Sequence, residues 1–252
     1  MADTPDLGSG AIGMRVQVPP LAYNLIRLCI TIIRIMEQPE EANKKRNIFR
    51  RIIISIIGIT ILSIGLTFMR YAVLGVDPIV CLNIGIARQL GISFGLWQLI
   101  FCVILTFGMF IFDRTKIGFG TIYVLIVGYK SDALLWLIEK IPVFEMFSIQ
   151  IRIVSFAFGL IVLYLGASVY IEANVGLSPY DAVAIIISEK INKLNWFRWI
   201  RIATDALCVL GGVLTKSDIG IGTLITVLIG GPAIALFRKH LGNFKMFKNL
   251  KK

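Results

Sequence analysis

Charge is scarce in this chain, and histidine scarcer still. Of 252 residues only 16% are charged, and His240 is the single histidine. A soluble domain carries about 25% charged residues, so an ordinary water-exposed surface is excluded. One histidine in a basic stretch cannot build a histidine metal site. Cys29, Cys81, Cys102 and Cys208 show no CxxC spacing, which argues against a disulfide or zinc framework and leaves them as small apolar residues. P-loop, HExxH and G-x-S-x-G signatures are missing as well. With neither a metal cluster nor a nucleophile–base pair in view, the expectation is a protein without a cofactor that is not an enzyme.

Apolar sequence dominates instead: 57% of residues are hydrophobic and mean hydropathy is +0.82. Segments 52–74, 94–112, 117–138, 153–172, about 199–214 and 219–237 each approach the ~20 residues that cross a ~30 Å hydrocarbon layer as a helix. The fold class expected is therefore all-α, a polytopic helical membrane protein. The formal charge of +11 collects at KKRNIFRR (44–51), DRTK (113–116), 190–201 and the tail 237–252. Flanking spans, such clusters follow the positive-inside rule and point to anionic lipid rather than nucleic acid. Phe237, Leu241, Phe244 and Phe247 recur at helical spacing in the tail, as in an interfacial helix.

Residues 1–51 read as a cytoplasmic N-terminal region, with a turn-rich, disordered stretch over the first twenty. A surface-lying helix comes next over 21–36, where Arg27 and Arg34 share a face. No signal peptide is apparent, and Met36 is a second possible start. The remaining chain divides into membrane units over 52–140 and 153–240, then a basic cytoplasmic tail, 241–252.

Those two units repeat one pattern. A shift of 101 positions superposes Gly58 on Gly159, Gly65 on Gly166, Gly75 on Gly176 and Pro78 on Pro179. A shift of 102 superposes IGFGT, with Gly118 and Gly120, on IGIGT, with Gly220 and Gly222. Each copy reads as span, Gly-x-x-Pro turn, short helix, span, Gly-x-Gly-Thr box, span. The post-proline segments hold about thirteen residues, roughly 20 Å of helix, too short to span comfortably. Three spans per copy is an odd number, so the copies are expected to insert in inverted orientation with both termini cytoplasmic. Proline at the first helical turn sacrifices no hydrogen bond, and the preceding glycine permits the turn. Paired broken elements at inverted positions are a device for building a central substrate site; a plain connection with an interfacial helix is the other reading.

The GVDP and GLSPYDA turns, with the two Gly-x-Gly-Thr boxes, resemble the YczE-like and YitT-like families of bacterial integral membrane proteins over about 52–240. Without a soluble C-terminal domain, the chain is more similar to the YczE side. That resemblance implies a multi-pass plasma-membrane protein and supplies no catalytic residues. GVDPIV lacks the aromatic–acidic pair of GLSPYDA.

A central charge costs about 2.5–3.5 kcal/mol on insertion scales, which singles out a few residues. Asp205 reads either as a proton or cation site or as the partner of Arg201 one turn earlier. Lys130 and Asp132 point to different sides of their helix; lysine extends toward the interface, whereas a short carboxylate cannot. Asp181 reads first as stabilising the start of its helix. Around the second break stand Glu172, Ser178, Tyr180 and Asp181, and around the first Arg70, Tyr71 and Asp77; these are the candidate substrate or ion residues. The expected function is a secondary-transporter-like permease for a small solute or metabolite. The alternative is a non-transporting scaffold for another enzyme or complex.

Overall fold

The computed structural model describes residues 44–140, 148–191 and 197–242. Two units divide the chain, 1–39 and 40–252. The expected surface helix at 21–36, Met36 and the tail beyond 242 lie outside the described residues, and the described helices all belong to the second unit.

These elements are helical throughout. They are α1 (Lys44–Ala72), α2 (Pro78–Leu90), α3 (Phe94–Phe112), a 3-10 turn (Arg114–Lys116), α4 (Phe119–Val124), α5 (Val127–Glu139), α6 (Ile149–Ala173), α7 (Pro179–Lys190), α8 (Phe197–Leu214) and α9 (Ile221–Gly242). Among the described residues, five stretches have the length and apolarity to cross a bilayer: Ile48–Ala72, Phe94–Phe112, Phe119–Glu139, Ile149–Ala173 and Ile221–Leu241. The third is α4 and α5 end to end. The protein is a polytopic helical membrane protein.

The sixth expected span, 199–214, forms a helix but is not among the five, because α8 carries Arg198, Arg201 and Asp205. Arg201 and Asp205 lie on one side of it. Arg201, Thr204, Asp205 and Cys208 face inward, while Trp199, Leu207, Leu210 and Leu214 are exposed. A soluble helix has the opposite arrangement. The wider molecule repeats it: Ser55, Ser63, Thr67, Asn83, Thr121 and Ser168 are buried, whereas Phe107, Phe112 and Leu228 lie outside. Apolar surface on this scale suits hydrocarbon, not water.

At the centre, α1 packs along α6. A Cβ on Gly58 would stand 3.0 Å from the Gly166 carbonyl oxygen, and one on Gly65 would stand 2.7 Å from that of Gly159. Contacts thus climb one helix while descending the other, so α1 and α6 run antiparallel. Small residues on both sides let the backbones touch, the usual route to close helix packing in lipid. At one end Arg152, in the first turn of α6, donates to the carbonyls of Ala72 (2.7 Å) and Val73 (2.8 Å), satisfying groups left open where α1 stops. Beside this pair, α2 packs on α8 and α7 packs on α3.

Candidate functional site

Both breaks have the expected local chemistry. Pro78 and Pro179 occupy the first turns of α2 and α7. Gly75 and Gly176 have φ of 113° and 123°, a region that glycine reaches without steric penalty.

The extended residues after each glycine run into the bundle. The Leu74 carbonyl accepts from the Gly222 amide (2.9 Å), and the Val76 amide donates to Thr223 Oγ1 (3.2 Å). Thr226, one turn further along α9, has its carbonyl bonded by the Tyr164 hydroxyl (3.3 Å) from mid-α6. The second break takes the same course. The Val175 carbonyl accepts from the Gly120 amide (2.9 Å), Thr121 Oγ1 donates to the Leu177 carbonyl (2.7 Å), and the Tyr170 hydroxyl donates to the Gly176 carbonyl (3.0 Å). Each Gly-x-Gly-Thr box therefore clasps the break that lies in the other half of the sequence. Close approach is what the glycines of these boxes permit, and it occurs against the broken backbone. A Cβ on Gly118 would meet the Val175 carbonyl oxygen at 2.1 Å, and one on Gly220 the Leu74 oxygen at 2.2 Å. The freed polar groups of each break thereby find protein partners, as lipid demands.

Carried inward, the starts of α2 and α7 converge on α8. The Tyr180 hydroxyl donates to Asp205 Oδ1 at 2.5 Å and lies 3.7 Å from Cys208 Sγ. Arg201 binds the Asp181 carboxylate, has Nε 3.5 Å from Asp205 Oδ1, and sets its guanidinium 4.5 Å over the Tyr180 ring. Asp77 is close enough to Arg201, Asp205 and Asp181 to feel their charges. Among the described residues it enters no ion pair. Ser178 is the residue before Pro179 and makes no side-chain cap. The two readings of Asp205 are thus not exclusive, since it meets Arg201 and also belongs to a larger inward-facing group.

Other candidates are held elsewhere. Arg70 donates to Asp132 Oδ1 (2.8 Å) and Ser131 Oγ (2.9 Å) and lies 4.2 Å over the Phe94 ring; Asp132 also accepts from the Gly95 amide (2.6 Å). This closed network welds α1, α3 and α5 together. Lys130 does point away from Asp132, yet it does not extend to an interface: Nζ donates to Tyr123 Oη (2.6 Å) and Thr60 Oγ1 (3.0 Å) and sits 4.2 Å over the Tyr123 ring. Glu172, buried at the end of α6, bonds Arg238 Nε at 3.0 Å. The central group thus comprises Asp77, Tyr180, Asp181, Arg201 and Asp205. Ser178 stands next to it in sequence, without a side-chain bond to it among the described residues, and Arg70, Lys130, Asp132 and Glu172 tie helices together elsewhere. Arg201 is the member of this group that sequence reasoning undervalues. Its i,i+4 spacing to Asp205 is the available signal, but nothing local reveals Asp181 on another helix.

Comparison with known proteins gives two relatives in Bacillus subtilis (strain 168). The uncharacterized protein YyaS is 30% identical over 194 residues, 77% of this chain and 94% of its own. The uncharacterized membrane protein YczE is 22% identical over 178 residues, 69% and 79% of the two chains. No solved structure matches. A family model does match residues 49–239, from the second turn of α1 to the last turn of α9. On the strength of that match, which takes in both breaks, both boxes and the charged group between them, the chain belongs to the family of unknown function DUF6198.

Proposed function

We propose that this protein is a secondary-transporter-like permease that moves a small organic solute or metabolite across the bacterial plasma membrane without ATP or covalent chemistry. The observation that carries this reading is the convergence of two broken elements, one from each repeat unit, on Asp77, Tyr180, Asp181, Arg201 and Asp205. Charge on the inward side of a membrane bundle is expensive and marks pathways by default. Short helices that start inside a bundle aim their amide ends at its interior, the arrangement transporters use to hold a solute between half-helices.

With this goes our reading of the fold as two three-span halves in inverted orientation. Equivalent glycines meet antiparallel along α1 and α6, and the two clasps are reciprocal. On this reading α8, apolar on its outward face, is the sixth span. The orientation we infer puts the end where α6 finishes on the cytoplasmic side, the side of anionic lipid. Toward that end lie the positions of Lys44, Lys45, Arg46, Arg50, Arg51, Arg114, Lys116, Lys190, Arg238 and Lys239, against Arg70, Arg88, Lys140, Arg152 and Lys216 toward the other.

Purified protein in liposomes loaded with a pH-sensitive dye, challenged with pooled small metabolites, tests the reading. Solute-dependent flux that disappears in Asp205→Asn supports it. Absence of flux with every pool, together with tight co-purification of a partner protein, would replace the permease by a scaffold. Cysteine labelling at 75–78 from outside and 176–179 from inside is the expected topology; equal sidedness would overturn the inversion.

A further inference from the structure

Two ion pairs tie the far ends of the short helices to loops of the opposite repeat unit, and they are one pair with its charges exchanged. Arg88, in the last turn of α2, has Nη2 2.7 Å from Asp218 Oδ2 and donates through Nη1 to the Lys216 carbonyl at 3.3 Å. Glu189, in the last turn of α7, has Oε1 2.8 Å from Lys116 Nζ. The repeat shift of 101 carries Arg88 onto Glu189, and that of 102 carries Lys116 onto Asp218. Position is thus kept across the repeat while sign is reversed on both partners.

The pairs stand at opposite ends of the bundle. Asp218 lies just before the box that clasps Leu74, where α1 finishes, and Lys116 just before the box that clasps Val175, where α6 finishes. Since α1 and α6 are antiparallel, one pair faces each side, with the Asp77–Arg201–Asp205 group between them. Both are open to solvent: side-chain exposures are 55% and 38% for Arg88 and Asp218, and 25% and 40% for Lys116 and Glu189. Exposed pairs of this kind break and reform in thermal motion.

We propose that Arg88–Asp218 and Lys116–Glu189 are the two end latches of one pathway. Release of either loosens its short helix against the opposite unit, to which α2 stays tied by the Ser217 hydroxyl on the Cys81 carbonyl, and admits water to buried Cys208, beside the central group, from that side alone. The inference rests on the permease reading for its purpose, but its test reads access rather than flux.

Native Cys208 is the reporter, buried beside Tyr180 in that group. With Cys29, Cys81 and Cys102 replaced by Ala, sealed vesicles of both orientations are treated with a membrane-impermeant thiol reagent. Asp218→Asn should raise Cys208 labelling about two- to five-fold from the Arg88 side only, the shift expected for losing an exposed pair. Glu189→Gln should do the same from the Lys116 side only. Charge-keeping Asp218→Glu and Glu189→Asp should label as the parent does, and Arg88→Asp with Asp218→Arg should return to parent labelling. High salt outside the vesicle, which screens exposed pairs, should mimic the neutral variant on the parent chain if a variant fails to accumulate. Unchanged labelling in both neutral variants, or an equal rise from both sides, overturns the latches. Labelling that shifts as stated without any liposome flux leaves the latches standing and removes the permease; flux without such shifts does the reverse.

Discussion

Gly65→Ala tests the central seam with a magnitude that the geometry supplies. The added Cβ would lie 2.3 Å from the Leu163 amide nitrogen, 2.6 Å from its Cα and 2.7 Å from the Gly159 carbonyl oxygen. All three are backbone atoms of α6, so no side chain can rotate away. Relief to an ordinary contact of about 3.5 Å requires α1 and α6 to part by about 1 Å. Gly108→Ala is the matched control, because nothing lies within 4 Å of its Cβ position. Both substitutions gain the same helix propensity, about 0.8–1 kcal/mol. Subtracting one variant from the other cancels that gain and leaves the overpacking cost, typically about 1–3 kcal/mol. At about 2–4 °C per kcal/mol for a chain of this size, Gly65→Ala should melt roughly 2–12 °C below Gly108→Ala. Thermal unfolding of both variants in one detergent, monitored by tryptophan fluorescence, makes the measurement. If Gly65→Ala melts with Gly108→Ala or above it, the backbones do not touch there, and the antiparallel seam that supports the inverted halves is wrong.

Other expectations concern separate parts of the molecule. Thr223→Ala removes the acceptor of the Val76 amide, and Thr121→Ala the donor to Leu177; each should cost about 1–3 kcal/mol in the same assay, as an orphaned buried polar group does. Asp132→Ala strands the Arg70 guanidinium and should cost about 3–5 kcal/mol, whereas Arg70→Met with Asp132→Leu should recover much of that loss. In liposomes, Asp77→Asn and Asp205→Asn should reduce flux several-fold while leaving the melting temperature within a few degrees. Thr115 holds the Asp113 carboxyl below the usual carboxylate range through its hydroxyl and amide. The native state therefore binds that proton less readily than the unfolded chain. This contribution is present above the ordinary carboxylate pKa and fades as pH falls through the depressed one, so Asp113→Asn should match the parent in acid and fall below it at neutral pH.

Much of this architecture is legible in the residues because membranes leave the chain few choices. Long apolar runs have to be helices, and Gly75 with Pro78, like Gly176 with Pro179, has to stop one helix and start another. Everything that joins distant positions is hidden from such a reading. Asp132 looks like an unexplained charge since its partner, Arg70, lies on a different helix. Asp181 looks like a helix-start carboxylate because its local position suffices for that role, and only the fold brings Arg201 to it. The reach of Lys130 alone predicts snorkelling; Thr60 and Tyr123 supply a nearer alternative. The Gly-x-Gly-Thr boxes show a need for close approach without naming what approaches. Periodicity speaks for the surface a helix presents and is silent about its neighbour.

The reciprocal clasps bear on how the chain is made. Val76 waits for Thr223, 147 positions downstream. At about 5–20 residues per second of synthesis, that is roughly 7–30 s during which the first break has entered the bilayer with its amides and carbonyls unanswered. The second break has no such delay, because Thr121 is already in place when Leu177 emerges. Biogenesis is therefore lopsided: the first break must wait for sequence made much later, whereas the second closes on residues already synthesised.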